Sequence, residues 1–588
     1  MQFLITANLS KVIKIKNNIK NFDDILLLGK WCLYEDDIDI EDQKFNVYPF
    51  IWNNVQDTIK AQKDCLHIYE KCLTVITKEY NEYFGLKKNK DFYRIIVGYW
   101  LIHFIHQAYD KFTLLSKASK DFDLNTIILD DKDHIIPYDF NEFISMSSQP
   151  LFQLQLYSQI IKNMEIKTKT ISITNNINSK KKSNINAKYL IKELIHKFLY
   201  NIQYLITFFK KKITIISNPY FKSSSFFDYI KIIYFSKASV LFDFGLKNKT
   251  FHKKNLIFAV RDKFKTKNNK KFEELIISLV FKSIPKTYLE NFMDNLKYSR
   301  RFYKNISRKK YNFLTYQSLY TNHTYQYFVA NNRDKIDIFS AQHGCGYGMD
   351  TFHVSEKFER IFVDKFYTYG WSDGNQTIPM PMPKILDEKS YNQNNCKILI
   401  ASHEAPLYVL RLINFPMSTA NLIDHVEFPL KFLRQSKFVD NIELRYPKTE
   451  YKGWNNFNFI KKEFSNIKID KNKSFYNSLK NSKIFVSDHL GTSFLEALQF
   501  NIPSIIFINK DNYSFRGEFN FYFNKLIKNK IIFYDPEEAS KFLNDNYNNI
   551  SDWWLKKEIQ SLRLEICKKY ALTSDIWHYE WGKALKQE

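Results

Sequence analysis

Four short segments gather the residue types from which group-transfer chemistry is built. The most informative is KIFVSDHLGTSFLEALQFNIPSIIFI, residues 483–508. An apolar strand ends at Ser487, a tight polar turn holds Gly491, a helix opens near Thr492 and Ser493, and a further strand follows Asn501 and Pro503. This order sets hydroxyls and backbone N–H groups at a helix N-terminus, where unpaired donors and the helix dipole favour a phosphate. It also falls at the carboxyl end of a strand in an α/β pattern, where open parallel sheets bind ligands. Glu496 is placed either to bond a ribose hydroxyl or to act as an ordinary first-turn carboxylate beside a plain helix cap.

The second segment, FSAQHGCGYGMDTFHVSEKFERIFVDKFYTYGW, sets Gln342, His343 and Gly344 directly after an apolar strand. A neutral imidazole there can take the proton of an acceptor hydroxyl, because its ordinary pKa lies near operating pH. Gly344, Gly346 and Gly348 let the loop come close to a ligand. Asp350 and Glu356 are the carboxylate alternatives for the base, and a histidine that only caps a strand end is the plain alternative. ILIASHEAP puts Ser402, His403 and Glu404 after another strand, and LRYPKTEYKGW puts Arg445, Tyr446 and Lys448 after the next. Arg and Lys at such ends either clamp phosphate or carboxylate oxygens or are solvated surface charges.

Residues spread this widely act together only if their strands end in one place. From about residue 250 short apolar runs alternate with helical segments, the mark of β-α-β units and parallel sheets. The pattern predicts strands at Leu256–Val260, Tyr327–Ala330, Ile336–Ala341 and Arg360–Val363. A second set falls at Lys397–Ala401, Ile442–Arg445, Lys483–Ser487, Ser504–Ile508 and Ile531–Tyr534. IPMPMPKI, residues 378–385, lies between the sets and reads as an interlobe hinge, since proline cannot sit in a helix interior. Ahead of these, two strands (Phe3–Thr6 and Ile25–Leu28) precede helical apolar spacing over residues 55–120, so residues 1–164 read as a mainly helical module. Residues 165–187 are polar and aperiodic and read as a linker. The division is then a lobe over 188–385, with a helical lead-in, and a lobe over 386–588.

The 483–508 segment resembles the donor-binding lobe of GT-B glycosyltransferases, with their S-D-x-x-G/S-T/S-x-x-x-E-A run before a strand. That resemblance implies two Rossmann-like lobes facing a cleft, with a nucleotide-sugar donor held by His403, Glu404, Arg445, Tyr446, Lys448, Gly491, Thr492, Ser493 and Glu496. The strand followed by Q-H-G is similar to bacterial capsule and teichoic-acid transferases, including those of the Kdo type, in which this histidine faces the cleft. Transferases that use CMP-activated acidic sugars carry a His-Pro pair, and Tyr446 and Pro447 stand there in this chain. ILLLGKWCLY, YPFIWNN and FYRIIVGYWLIHFIHQAYDKF resemble the N-terminal half of a transferase family of bacterial surface-polysaccharide gene clusters, with Lys30 in place of its usual acidic residue. In the same order as the other motifs, this extends the resemblance over nearly the whole chain.

The 588 residues are too many for one core, and 45% hydrophobic with 25% charged is a globular balance. The formal charge of +25 comes mostly from lysines scattered among Asn and Ile, which argues against nucleic acid as partner and for a positive surface able to meet anionic headgroups. Cys32, Cys65, Cys72, Cys345, Cys396 and Cys567 form no metal-binding spacing and read as free thiols of a reducing compartment. Neither a signal peptide nor a spanning helix is predicted. The expectation is a cytoplasmic, metal-independent, inverting transferase without cofactor, at most peripheral at the inner face of the membrane. It would move a sugar, first a CMP-linked 3-deoxy-2-ulosonate of the Kdo or sialic-acid kind and next a nucleotide-diphosphate hexose, to a glycan or glycolipid. A polyol-phosphate transferase and a non-catalytic scaffold of polysaccharide assembly are the rivals.

Overall fold

The strands formed by KITIIS, IFVS and SIIF are buried at every position but the first lysine, so both of their faces are covered. Such runs build parallel sheets between helical layers. The computed structural model describes residues 2–7, 25–33, 46–172, 210, 212–218, 221, 226–243, 248–251, 255–264, 271–302, 310–382, 395–413, 426–446, 453–472 and 474–586. It contains three sheets, and every strand pairing within them is parallel.

The front module is mostly helical, and its two expected strands form part of a larger first sheet. Its strands β1 (Gln2–Ile5), β2 (Ile25–Leu27), β3 (Asn46–Val47), β4 (Leu124–Leu129) and β5 (Lys167–Ile171) run in the order β3-β2-β1-β4-β5. β5 occupies the start of the segment expected to be a linker, whose remainder from 173 lies outside the described residues. Two long helices join this sheet. Helix α1 (Val55–Phe84) starts at Asn54, whose side chain accepts from Gln56 N, and stops at Gly85 in the left-handed conformation that glycine tolerates. Helix α2 (Lys90–Asp121) is buried on almost every face, as a helix inside a large protein should be.

The second sheet takes β6 (Lys212–Ser217), β7 (Val240–Asp243), β8 (Lys310–Thr315), β9 (Ile336–Ala341), β10 (Lys365–Thr368) and β11 (Thr377–Pro379) in the order β11-β10-β9-β8-β6-β7. Of the strands expected here, Ile336–Ala341 forms, whereas Tyr327–Ala330 belongs to the helix His323–Asn331 and Leu256–Val260 runs into the helix Phe258–Arg261. Arg360 closes the helix α3 (Val354–Arg360), so the strand expected at Arg360–Val363 is displaced to β10. The expected hinge begins as the edge strand β11, a position that proline tolerates, and residues 383–385 lie outside the described residues.

The third sheet matches its sequence pattern closely. β12 (Ile398–Ala401), β13 (Ile442–Arg445), β14 (Lys468–Ile469), β15 (Ile484–Ser487), β16 (Ser504–Phe507) and β17 (Ile532–Phe533) run in the order β14-β13-β12-β15-β16-β17. Helices α4 (Asn456–Glu463) and α5 (Thr492–Gln499) follow β13 and β15. The chain reverses its direction of travel across the sheet between β12 and β15, the switch point at which parallel sheets open a crevice beyond the strand ends. One continuous apolar core runs through residues of all three sheets. All six cysteines are free. Among the described residues no helix is long and apolar enough to cross a membrane.

Candidate functional site

The crevice above β12 and β15 is closed by the loop that follows β9, and the two surround a cavity of about 340 Å³. From the second unit come His343, Gly344, Asp350 and His353; from the third, His403, Arg411, His489, Gly491, Thr492 and Tyr513; from helix α1, Gln62. The loop is stapled to the third unit: Cys345 N donates to Thr492 Oγ1 (3.2 Å), Thr351 N to Ser514 O (2.9 Å) and Arg516 N to Met349 O (2.8 Å).

Gln342 fixes the loop's root. Its amide oxygen accepts from Tyr369 N (3.0 Å) and Trp371 Nε1 (2.9 Å), and its amide nitrogen donates to Gly344 O (2.8 Å). The three glycines do different work. Gly346 and Gly348 have positive φ, and side chains there would run into Asp350 or His353 and into the Trp371 ring, so they serve the loop's own packing. Gly344 alone faces open space, with Thr492 Oγ1 4.0 Å from where a Cβ would stand.

His343 sits half-buried on the cavity wall, its Nε2 3.3 Å from the Tyr347 hydroxyl. That hydroxyl donates to Glu359 (2.8 Å), which also accepts from Tyr320 (2.6 Å) and Ser340 (3.0 Å). Burial pushes the Glu359 carboxyl up to about 7 against those three donors. Asp350 lines the same cavity, and desolvation pushes its carboxyl up to about 8, opposed by Arg516 and reinforced by Glu356. Glu356 is placed elsewhere. It is fully buried and does not line the cavity; its oxygens take Arg360 (3.0 Å), both contacts from Arg516 (2.8 Å) and Gly348 N (2.9 Å).

At the switch point Asp488 organises two histidines. It accepts from Ser402 Oγ and His403 N, and its Oδ1 lies 2.8 Å from His489 Nδ1; the rings of His403 and His489 are 5.3 Å apart. Beside them Gly491 caps α5 in an extended conformation, and Gly491 and Thr492 at the helix start line the cavity. Of the expected donor residues, His403, Gly491 and Thr492 line the cavity, while Ser493 and Glu496 are half-buried on α5 outside it. Glu496 is not in the first turn.

The other expected donor residues have structural partners. Glu404 accepts from Asn455 N (2.7 Å) and Asn456 N (3.2 Å) at the start of α4, and burial pushes it up to about 7 against those bonds. Arg445 is taken by Asp470 (2.6 Å) and Asn472 O (2.9 Å). Tyr446 packs against Phe457, its hydroxyl pushed up by burial. Lys448 lies outside the described residues. His489, Arg411 and Gln62, which the sequence did not single out, also line the cavity. His489 stood inside the segment already singled out, next to Asp488, and was legible as a second imidazole at a strand end; Arg411 and Gln62 carry no local signal and are brought in by the fold.

Fold and cavity together define a parallel α/β protein whose strand-end loops converge on one polar site. The chain belongs to the LIC12162 family of transferases, whose model matches residues 11–585. It is on that membership a transferase, and so an enzyme. No curated protein matches it.

Proposed function

We propose that the chain is a GT-B-type glycosyltransferase that moves a sugar from a nucleotide-activated donor to a hydroxyl of a bacterial surface glycan or glycolipid. One observation carries the reading: a candidate base, His343, and the helix start at Gly491 and Thr492 face the same cavity. The helix dipole and N–H groups would neutralise the departing phosphate, and the imidazole would take the acceptor proton in a single inverting displacement. His343 is preferred over Asp350, whose carboxyl holds its proton near neutral pH. With the leaving phosphate stabilised in this way the proposed reaction calls for no metal.

A CMP-linked 3-deoxy-2-ulosonate is the first choice of donor and a nucleotide-diphosphate hexose the second. A glycan under construction would bring the enzyme to the inner face of the cytoplasmic membrane. The test is release of CMP, UDP or GDP from a panel of nucleotide sugars, with glycan acceptor present and excess EDTA in parallel. Release of one nucleotide, unchanged by EDTA, is the expected result. Loss of turnover on chelation, restored by magnesium or manganese, would falsify the metal-free mechanism. Release of CMP only from CMP-glycerol or CMP-ribitol would shift the reading to polyol-phosphate transfer, and no release from any donor to a scaffold.

A further inference from the structure

We propose that Arg411 forms a second anion subsite of this cavity, one that takes the carboxylate of an acidic sugar. The inference rests on the transfer reading and adds to it a residue and a ligand group. Arg411 follows β12 on a loop pinned to α2, where Leu412 N donates to His106 Nδ1 (3.0 Å). Its guanidinium opens on the cavity and donates to Ser355 Oγ (3.1 Å). Among the described residues no carboxylate oxygen lies within ion-pair distance of it.

The groups around it do not supply the missing charge. His103 and His106 come from α2, His353 and Ser355 from the start of α3, and Tyr320 from the second unit. Burial and then the Arg411 charge hold His103, His106 and His353 neutral. Asp350, across the cavity, answers to Arg516, and Asp488 is engaged by Ser402, His403 and His489. Among the described residues, a half-buried guanidinium therefore faces the cavity with no carboxylate at ion-pair distance. One fixed positive charge with a planar fork of donors matches one carboxylate, whereas a phosphate finds its N–H donors at the start of α5. The acid group can belong to the transferred sugar or to the acceptor.

Binding to the full-length protein distinguishes the two sources. The donor arm compares UDP-glucuronate with UDP-glucose and CMP-N-acetylneuraminate with its carboxyl methyl ester; the acceptor arm compares free glucuronate with glucose at saturating CMP. In at least one arm the acid should bind about tenfold tighter than its neutral counterpart. Arg411→Gln should erase that difference while leaving CMP affinity within about twofold, and Arg411→Lys should keep part of it. Circular dichroism confirms that the variants are folded. If neither arm favours the acid, or if Arg411→Gln weakens CMP itself to the same extent, the proposal is overturned. Acid-selective binding of free glucuronate lost in Arg411→Gln, in a protein that binds no nucleotide, would support the subsite and count against the transfer reading.

Discussion

At the scale of single residues the sharpest question concerns His343 and its neighbours. If His343 takes the acceptor proton, His343→Ala should lower turnover by about 10² to 10⁴ with nucleotide affinity nearly unchanged, the usual worth of a general base. A lower melting temperature with normal turnover in the folded fraction would instead make the histidine structural. Asp350→Asn is the control, and an inactive Asp350→Asn beside an active His343→Ala would move the role to the carboxylate. Asp350 also makes a prediction about stability. A carboxyl raised from 3.8 to about 8 binds its proton more tightly in the folded chain. Its contribution is then fully present below the unfolded value and is lost as pH rises through about 8. Asp350→Asn removes that loss, so its melting temperature relative to wild type should climb between pH 5 and pH 9. A difference that stays flat across that range would show that Asp350 ionises normally.

At the scale of elements, helix α5 separates two neighbouring hydroxyls that looked equivalent in the sequence. Thr492 lines the cavity and accepts from Cys345 N, while Ser493 does neither. Thr492→Ala should therefore cost about 1 to 3 kcal/mol of donor or transition-state binding, and Ser493→Ala little. Equal losses measured by nucleotide titration would mean that the phosphate sits elsewhere. The same helix shows what the sequence could disclose. All five strands expected in the third sheet formed, because each is a short apolar run bounded by polar turns and followed by an amphipathic helix. The second sheet was harder. The helix His323–Asn331 is buried at eight of its positions, so it carries no amphipathic period and its YFVA run looks like a strand. β6, β7 and β8 escaped notice amid long stretches of Lys, Asn and Phe. Strand ends legible as local pattern carry His343, His403 and Thr492 to the cavity wall, whereas Glu356 and Arg445 meet Arg516 and Asp470, partners that lie far off in the sequence.

At the scale of the whole molecule, the front unit is part of the site. Gln62 of α1 lines the cavity, and α2 meets the other two units at once: Leu412 bonds His106, and Gly98 lies where a Cβ would stand 2.7 Å from the Tyr69 hydroxyl and 3.1 Å from Phe358 of α3. The main apolar core is shared across all three sheets, beside a smaller cluster between the second sheet and the C-terminal helix Trp577–Leu585, so the units hold most of their interior in common. The chain should therefore unfold in one transition, with near-ultraviolet circular dichroism and loss of nucleotide binding sharing a midpoint. Gly98→Val tests the coupling far from the donor residues. The added methyl groups must displace Tyr69 or Phe358, both packed between units, at a cost of about 1 to 3 kcal/mol, and both midpoints should fall together. If the signal from the front unit is lost first while nucleotide binding keeps its wild-type midpoint, the three sheets are separate folding units and the cavity does not depend on α2.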